Sequence, residues 1–285
     1  MRLGILGSVL PASPSEITAE TLASIREMGF SGVGTDFGFH LEEMTPALRA
    51  HIKALFAESG LDQPMMWAPF KNFIQDDRDA MERDFALYEE AIRLAVDVGC
   101  GNLALWPGSH GVGHPYLAHP RNFTQESFDR SVAGLRRLAP LAEDKGISLS
   151  IEPGIGTVAF SPKRTREILD AVGSPALKVN LDVVNWITFW EYFDQAPLIE
   201  QSFDLVGSDV SGVHLKDIHF GDRLCVHLDE VPAGQGELDY LPLLRRASEL
   251  PRETYMIIEH VSLEEIPAAR EYVLARSREA GVAFV

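Results

Sequence analysis

Eight short apolar runs of strand length, separated by stretches with helical periodicity, limit what this 285-residue chain can become. The runs are 3–6, 32–35, 64–67, 102–106, 148–152, 178–182, 212–215 and 256–259. Between or after them, 17–28, 81–98, 128–145 and 266–280 place apolar residues at i, i+3 and i+4 with charges on the other face, the pattern of amphipathic helices. Boundary residues agree. Ser15 or Thr18 stands before the first helix, Gly29 follows Met28, Gly99 and Gly146 close two long helices, and Pro267 lies in the first turn of the last. Alternating β and α units demand a parallel sheet with right-handed crossovers, and eight of them match the roughly 250 residues of a closed (β/α)8 barrel. The rival, a doubly wound open sheet, normally carries G-x-G-x-x-G after its first strand, whereas Leu6 is followed by Gly7-Ser8-Val9-Leu10-Pro11. No linker, composition shift or larger repeat divides the chain, so residues 1–285 are expected to form one α/β barrel domain.

Charge narrows the partners. The chain has 25 Lys and Arg against 42 Asp and Glu, a formal net charge of −17. Such a surface repels phosphate backbones and anionic lipid, and no basic stripe offsets it, so neither nucleic acid nor a membrane is expected as a partner. Cys100 and Cys225 form no C-x-x-C pair and no zinc spacing. The apolar start of the chain is too short for a signal or a span, which points to a cytoplasmic protein.

In a barrel of this kind the chemistry sits where the strands end. Four consecutive runs end on ionisable residues: Glu152, Asp182, His214 and Glu259. A lone carboxylate after a strand is usually a helix cap or a surface ion-pair partner, but four in register bring three carboxylates and an imidazole to one point. Carboxylates facing one another on a dry rim repel unless a cation stands between them. The oxygen-rich set with one imidazole suits Mn2+ first, with Mg2+ or Co2+ as alternatives, and leaves room for two substrate oxygens. The expected partner is a small carbohydrate.

These strand ends carry a resemblance. With His214-Leu-Lys216-Asp217 and the loop Val231-Pro-Ala-Gly234-Gln-Gly236-Glu-Leu-Asp239, the chain resembles the xylose-isomerase-like barrel superfamily of sugar isomerases and epimerases, inosose dehydratases and family-2 apurinic endonucleases. The resemblance implies one divalent metal ion on Glu152, Asp182, His214 and Glu259. It departs from the superfamily pattern at Asp182-Val-Val-Asn185, where many members have Asp-x-x-His; with the further zinc ligands also missing, this disfavours the endonuclease.

The chemistry implied is proton abstraction next to a carbonyl through an enediolate, with Glu152 and Glu259 as paired acid and base. Isomerisation and epimerisation are not separated by sequence. Lys216 shares the strand face of His214 and is expected to bind a substrate hydroxyl or to pair with Asp217 or Glu259. Asn185 is expected to orient hydroxyls, Trp67, Trp106 and Trp186 to stack on the sugar, and Arg223 to join Lys216 if the substrate is phosphorylated. Asp217 is the candidate acceptor for the second ring nitrogen of His214. His110, His219, His227 and His260 are read as solvent-facing. The dense aromatics from Trp186 to Phe193 suggest a lid or an interface, hence a homo-oligomer or a small partner subunit. Alternatives are a lyase of the same superfamily, acting on 3-oxo-C-glycosides or inososes, and a sugar- or partner-binding barrel without catalysis.

Overall fold

The protein is described here from a computed structural model covering residues 1–7 and 9–285. Eight parallel strands make one sheet: β1 (Arg2–Ile5), β2 (Gly32–Val33), β3 (Met66–Trp67), β4 (Asn102–Leu105), β5 (Ser148–Ile151), β6 (Leu177–Leu181), β7 (Val210–Leu215) and β10 (Tyr255–Ile258). The order is β2-β1-β10-β7-β6-β5-β4-β3, so each strand lies beside its neighbour in the chain once a hairpin, β8 (Asp217–Phe220) and β9 (Leu228–Val231), is set aside. Parallel bridges Gly32 to Asp62 and Thr35 to Met66 join the two ends, with Trp67 N–H donating to Thr35 O at 2.8 Å. The sheet closes into the expected (β/α)8 barrel.

The helices form as their caps direct. Thr18 rather than Ser15 caps α1 (Ala19–Glu27), accepting from Thr21 N–H. The long helices α3 (Arg78–Val98) and α4 (Gln125–Lys145) end on Gly99 and Gly146, both left-handed. The others are α2 (Pro46–Ser59), α5 (Pro162–Val172), α6 (Phe189–Tyr192), α7 (Ala196–Val206), α8 (Tyr240–Ala247) and α9 (Ile266–Ala280). No helix among the described residues is long and apolar enough to cross a membrane.

Strand alternation divides the core. Leu149, Ile151, Val179, Leu181, Val213, Leu215, Met256 and Ile258 join the main apolar cluster with helix residues such as Ile92 and Leu138. Leu6, Met65, Trp67, Ala104, Trp106, Tyr255 and Ile257 form a second, smaller cluster. The alternation that gives Leu149 and Ile151 to the main cluster leaves Ser150 and Glu152 for the other face, and on β6 it leaves Asn180 and Asp182. The barrel therefore becomes acidic towards the strand ends.

Candidate active site

Glu152, Asp182, His214 and Glu259 are all buried, and one ligand atom from each lies within 4.8 Å of the others. His214 Nδ1 is 3.2 Å from Glu152 Oε1 and 2.8 Å from Glu259 Oε2. Lys216 Nζ is 2.7 Å from Asp182 Oδ2, 3.1 Å from Glu259 Oε1 and 2.7 Å from Glu230 Oε2. Asp182 Oδ2, Glu259 Oε1 and His214 Nδ1 have no hydrogen bond of normal geometry. Their close partners are the charged groups of the cluster itself. Atoms of this kind converging from four strands fit a divalent cation in an oxygen-rich site with one imidazole.

Without a cation the cluster balances itself. Burial opposes a charge on His214, but the Glu259 and Glu152 carboxylates outweigh it and hold the imidazole well above its ordinary value. Lys216 likewise stays charged against its burial because Asp182, Glu259 and Glu230 surround it. Burial pushes Asp182 up to about 7 despite Lys216. Glu259 is held well below the carboxylate range, its burial outweighed by His214 and Lys216.

The second ring nitrogen corrects one expectation. His214 Nε2 lies 2.9 Å from the side-chain amide of Asn180, and Asp217 instead accepts from the backbone N–H of Ile218, Gly234 and Leu238. The structure has Asn180 Nδ2 there; with Nε2 carrying a proton, as it does when His214 is protonated or bound to a cation through Nδ1, the amide must turn over to present its oxygen, which otherwise has no partner. Asn180 stands two residues before Asp182 on the same strand face, a spacing that could have singled it out.

Above the cluster opens a cavity of about 630 Å3. Lys216, Asn185, Trp67 and Trp106 line it. The two indoles stack with centroids 4.6 Å apart and planes 10° apart, and Phe70 lies against Trp106 at 3.8 Å. Asn185 Nδ2 donates to Glu152 Oε1 at 3.3 Å and to Pro153 O at 3.2 Å, so it acts first on a carboxylate. Trp186 is not in the wall: it is 2% exposed and donates from Nε1 to Ala159 O. Arg223 is exposed and pairs with Asp229 across the base of the β8–β9 turn, outside the cavity. His260 is solvent-facing as read, its side chain 61% exposed, yet it also lines the cavity and bonds Glu230, with its backbone at φ 52°. Glu230, Tyr116 and Phe70 were missed because nothing local marks them. Tyr116 is brought beside Glu152 by the loop after β4; burial, then that carboxylate, pushes its hydroxyl well above the ordinary phenol value. The aromatic run after Asp182 is split: Phe189 lines the cavity, while Trp190 and Phe193 are 82% and 70% exposed.

Comparison with known proteins agrees with this architecture. A family model described as a xylose isomerase-like TIM barrel matches residues 22–278. A search of curated proteins finds no sequence match. Among solved structures, D-psicose 3-epimerase in the presence of D-fructose superposes at a TM-score of 0.69 with 16% identity, over 98% of this chain and 99% of that one. A 3-keto-D-glucoside 4-epimerase from E. coli gives 0.71 and 17%, over 98% and 99%. A xylose isomerase-like TIM barrel protein from Mycobacterium smegmatis, in complex with magnesium, gives 0.71 and 18%, over 98% and 97%. At these identities the likeness is one of fold.

Proposed function

The chain belongs to the xylose isomerase-like TIM barrel family, and from that premise we propose that it is a divalent-metal-dependent sugar epimerase or isomerase that moves a proton next to a carbonyl. The observation that carries this reading is the set of four side chains at consecutive strand ends, their ligand atoms within 4.8 Å of one another. Glu152, Asp182, His214 and Glu259 would hold the ion, Mn2+ in the first place. A bound ion polarises the substrate carbonyl and stabilises charge on its oxygens.

The protein's own groups supply the rest. Glu152 and Glu259 stand on β5 and β10, which flank β6 and β7, so the carboxylates reach the cluster from its two sides. One removes the proton and the other returns it to the opposite face. Asn185 steadies Glu152, and Lys216 offsets negative charge that develops on the substrate. Trp67, Trp106 and Phe70 shield the reacting face from water. Among the described residues lining the cavity none is an arginine, and its lysine is surrounded by carboxylates, which favours a substrate without phosphate. Solvent deuterium exchange followed by NMR, over ketohexoses, ketopentose phosphates, inososes and 3-oxo-glycosides with added Mn2+, tests the reading. Metal-dependent exchange with a new epimer or isomer is expected. No exchange in protein shown to hold its metal would leave a binding barrel.

The cavity favours one second reading. Even at the roughly 30 Å3 that each water takes in the liquid, the twelve heavy atoms of a hexose fill about 360 Å3, little more than half of the 630 Å3 present. The cavity wall includes Trp106, Phe70 and Phe39, rings that suit a flat apolar group attached to the sugar. Release of an aglycone in the same assay would identify the protein as a lyase of 3-oxo-glycosides.

A further inference from the structure

The hairpin of β8 and β9, inserted between β7 and α8, has no part in the chemistry proposed above. It is firmly built. Its strands pair from Asp217 with Val231 to Phe220 with Leu228, and Asp217 ties its base to the amides of Gly234 and Leu238. Glu230, on β9, directs one oxygen to Lys216 Nζ at 2.7 Å and the other to His260 Nδ1. His260 reaches it from a left-handed backbone, φ 52°, which a non-glycine residue adopts only when its surroundings impose it.

Lys216 is 2% exposed, so its ammonium is held by protein groups rather than by bulk water. It touches three carboxylates, and two of the oxygens, Asp182 Oδ2 at 2.7 Å and Glu259 Oε1 at 3.1 Å, belong to the candidate metal ligands. A dication entering the cluster claims those same oxygens and repels the ammonium. Of the three carboxylates, only Glu230 lies outside the ligand set. We infer that Lys216 is the internal counter-ion of the cluster, competing with the metal, and that Glu230 is the positioning residue that takes over its ammonium when the metal binds. Metal affinity is then set partly from the hairpin. The inference rests on the metal site of the proposed function.

The two residues act with opposite sign. Removing Lys216 deletes the competitor, so Lys216→Met binds Mn2+ about tenfold more tightly or better, while the metal-free protein melts at a lower temperature. Removing the charge of Glu230 leaves the ammonium on the cluster, so Glu230→Gln binds Mn2+ about tenfold more weakly, the lower end of what outer partners of metal ligands contribute. In the Lys216→Met background Glu230→Gln has no effect. Calorimetric Mn2+ titration at pH 8 of the wild type, both single variants and the double variant reads all four affinities, with circular dichroism to confirm folding. If Lys216→Met does not fold, Glu230→Gln decides alone, since Glu230 sits at the cavity wall and its loss opens no core. A wild type that binds Mn2+ beside a Glu230→Gln that binds it equally well overturns the inference but not the proposed function. So does a loss from Glu230→Gln that persists without Lys216. A wild type that takes up no Mn2+ overturns both.

Discussion

His214 and Asp182 make the stability of the metal-free protein fall as pH rises. Both have folded values above their unfolded ones, His214 because of Glu259 and Glu152 and Asp182, raised to about 7, because of burial. A group raised on folding stabilises fully below its unfolded value and loses that contribution as pH climbs to the folded one. For Asp182 the loss runs from about pH 4 to pH 7, and for His214 from about pH 6.5 upwards. With the metal bound, Nδ1 is a ligand and carries no proton, so this loss disappears. The expected outcome is a melting temperature that falls between pH 6 and pH 9 in metal-free protein and holds in Mn2+-loaded protein, so that the gap widens with pH. Scanning calorimetry of both forms checks it. A gap that narrows would contradict the assignment of Nδ1. A residue two places from a ligand gives a second test. Asn180→Leu keeps the volume but leaves Nε2 without an acceptor, and is expected to weaken Mn2+ binding about 10- to 100-fold by calorimetric titration.

At the scale of elements, the loops decide the shape of the cavity. The loop after β4 delivers His114 and Tyr116 to the cavity wall and lies directly on the loop after β5. A Cβ on Gly156 would sit inside contact distance of the Tyr116 carbonyl oxygen, and Asn122 Nδ2, itself buried, donates to Gly156 O at 2.6 Å. The clash is with backbone, which cannot rotate away. Gly156→Ala is therefore expected to cost about 1–3 kcal/mol in urea unfolding and to disturb the Tyr116 side of the cavity. A variant as stable as the wild type would show that the two loops part freely. Helix ends were readable in advance because a cap is local: Gly99 and Gly146 close α3 and α4. The hairpin was not readable. Its sequence from Asp217 to Val231 has weak alternation and seven residues of turn, and its strands gain order from Asp217 pairing with the amides around Gly234.

For the whole molecule, the exposed aromatics at the end of α6 are the surface on which the expected assembly is tested. Trp190 is 82% exposed and Phe193 70%, set around Phe189 and Phe220 at the cavity edge. Such side chains contribute little to the fold, so Trp190→Ser with Phe193→Ser is expected to change unfolding free energy by no more than about 0.5 kcal/mol each. If this surface joins two copies or a small partner chain, the double variant sediments as a monomer while the wild type does not. A wild type that is monomeric at micromolar concentration removes the assembly.

The chain order of the eight barrel strands, the ends of the long helices, and the four ionisable strand ends follow from the sequence alone, because each is written in spacing of two, of 3.6, or of one βα unit. Once the barrel closes, equal positions on neighbouring strands must meet, which is why Glu152, Asp182, His214 and Glu259 were recognisable together. The tertiary structure decided what touches them. Asn180 rather than Asp217 holds His214; Trp186 turns into the core while Trp67 and Trp106 stack in the cavity; Arg223 stays outside; and Glu230 joins Lys216 to His260. These outcomes depend on loop paths and on a hairpin register. Both are fixed by contacts between segments far apart in the chain, and no local pattern of residues encodes them.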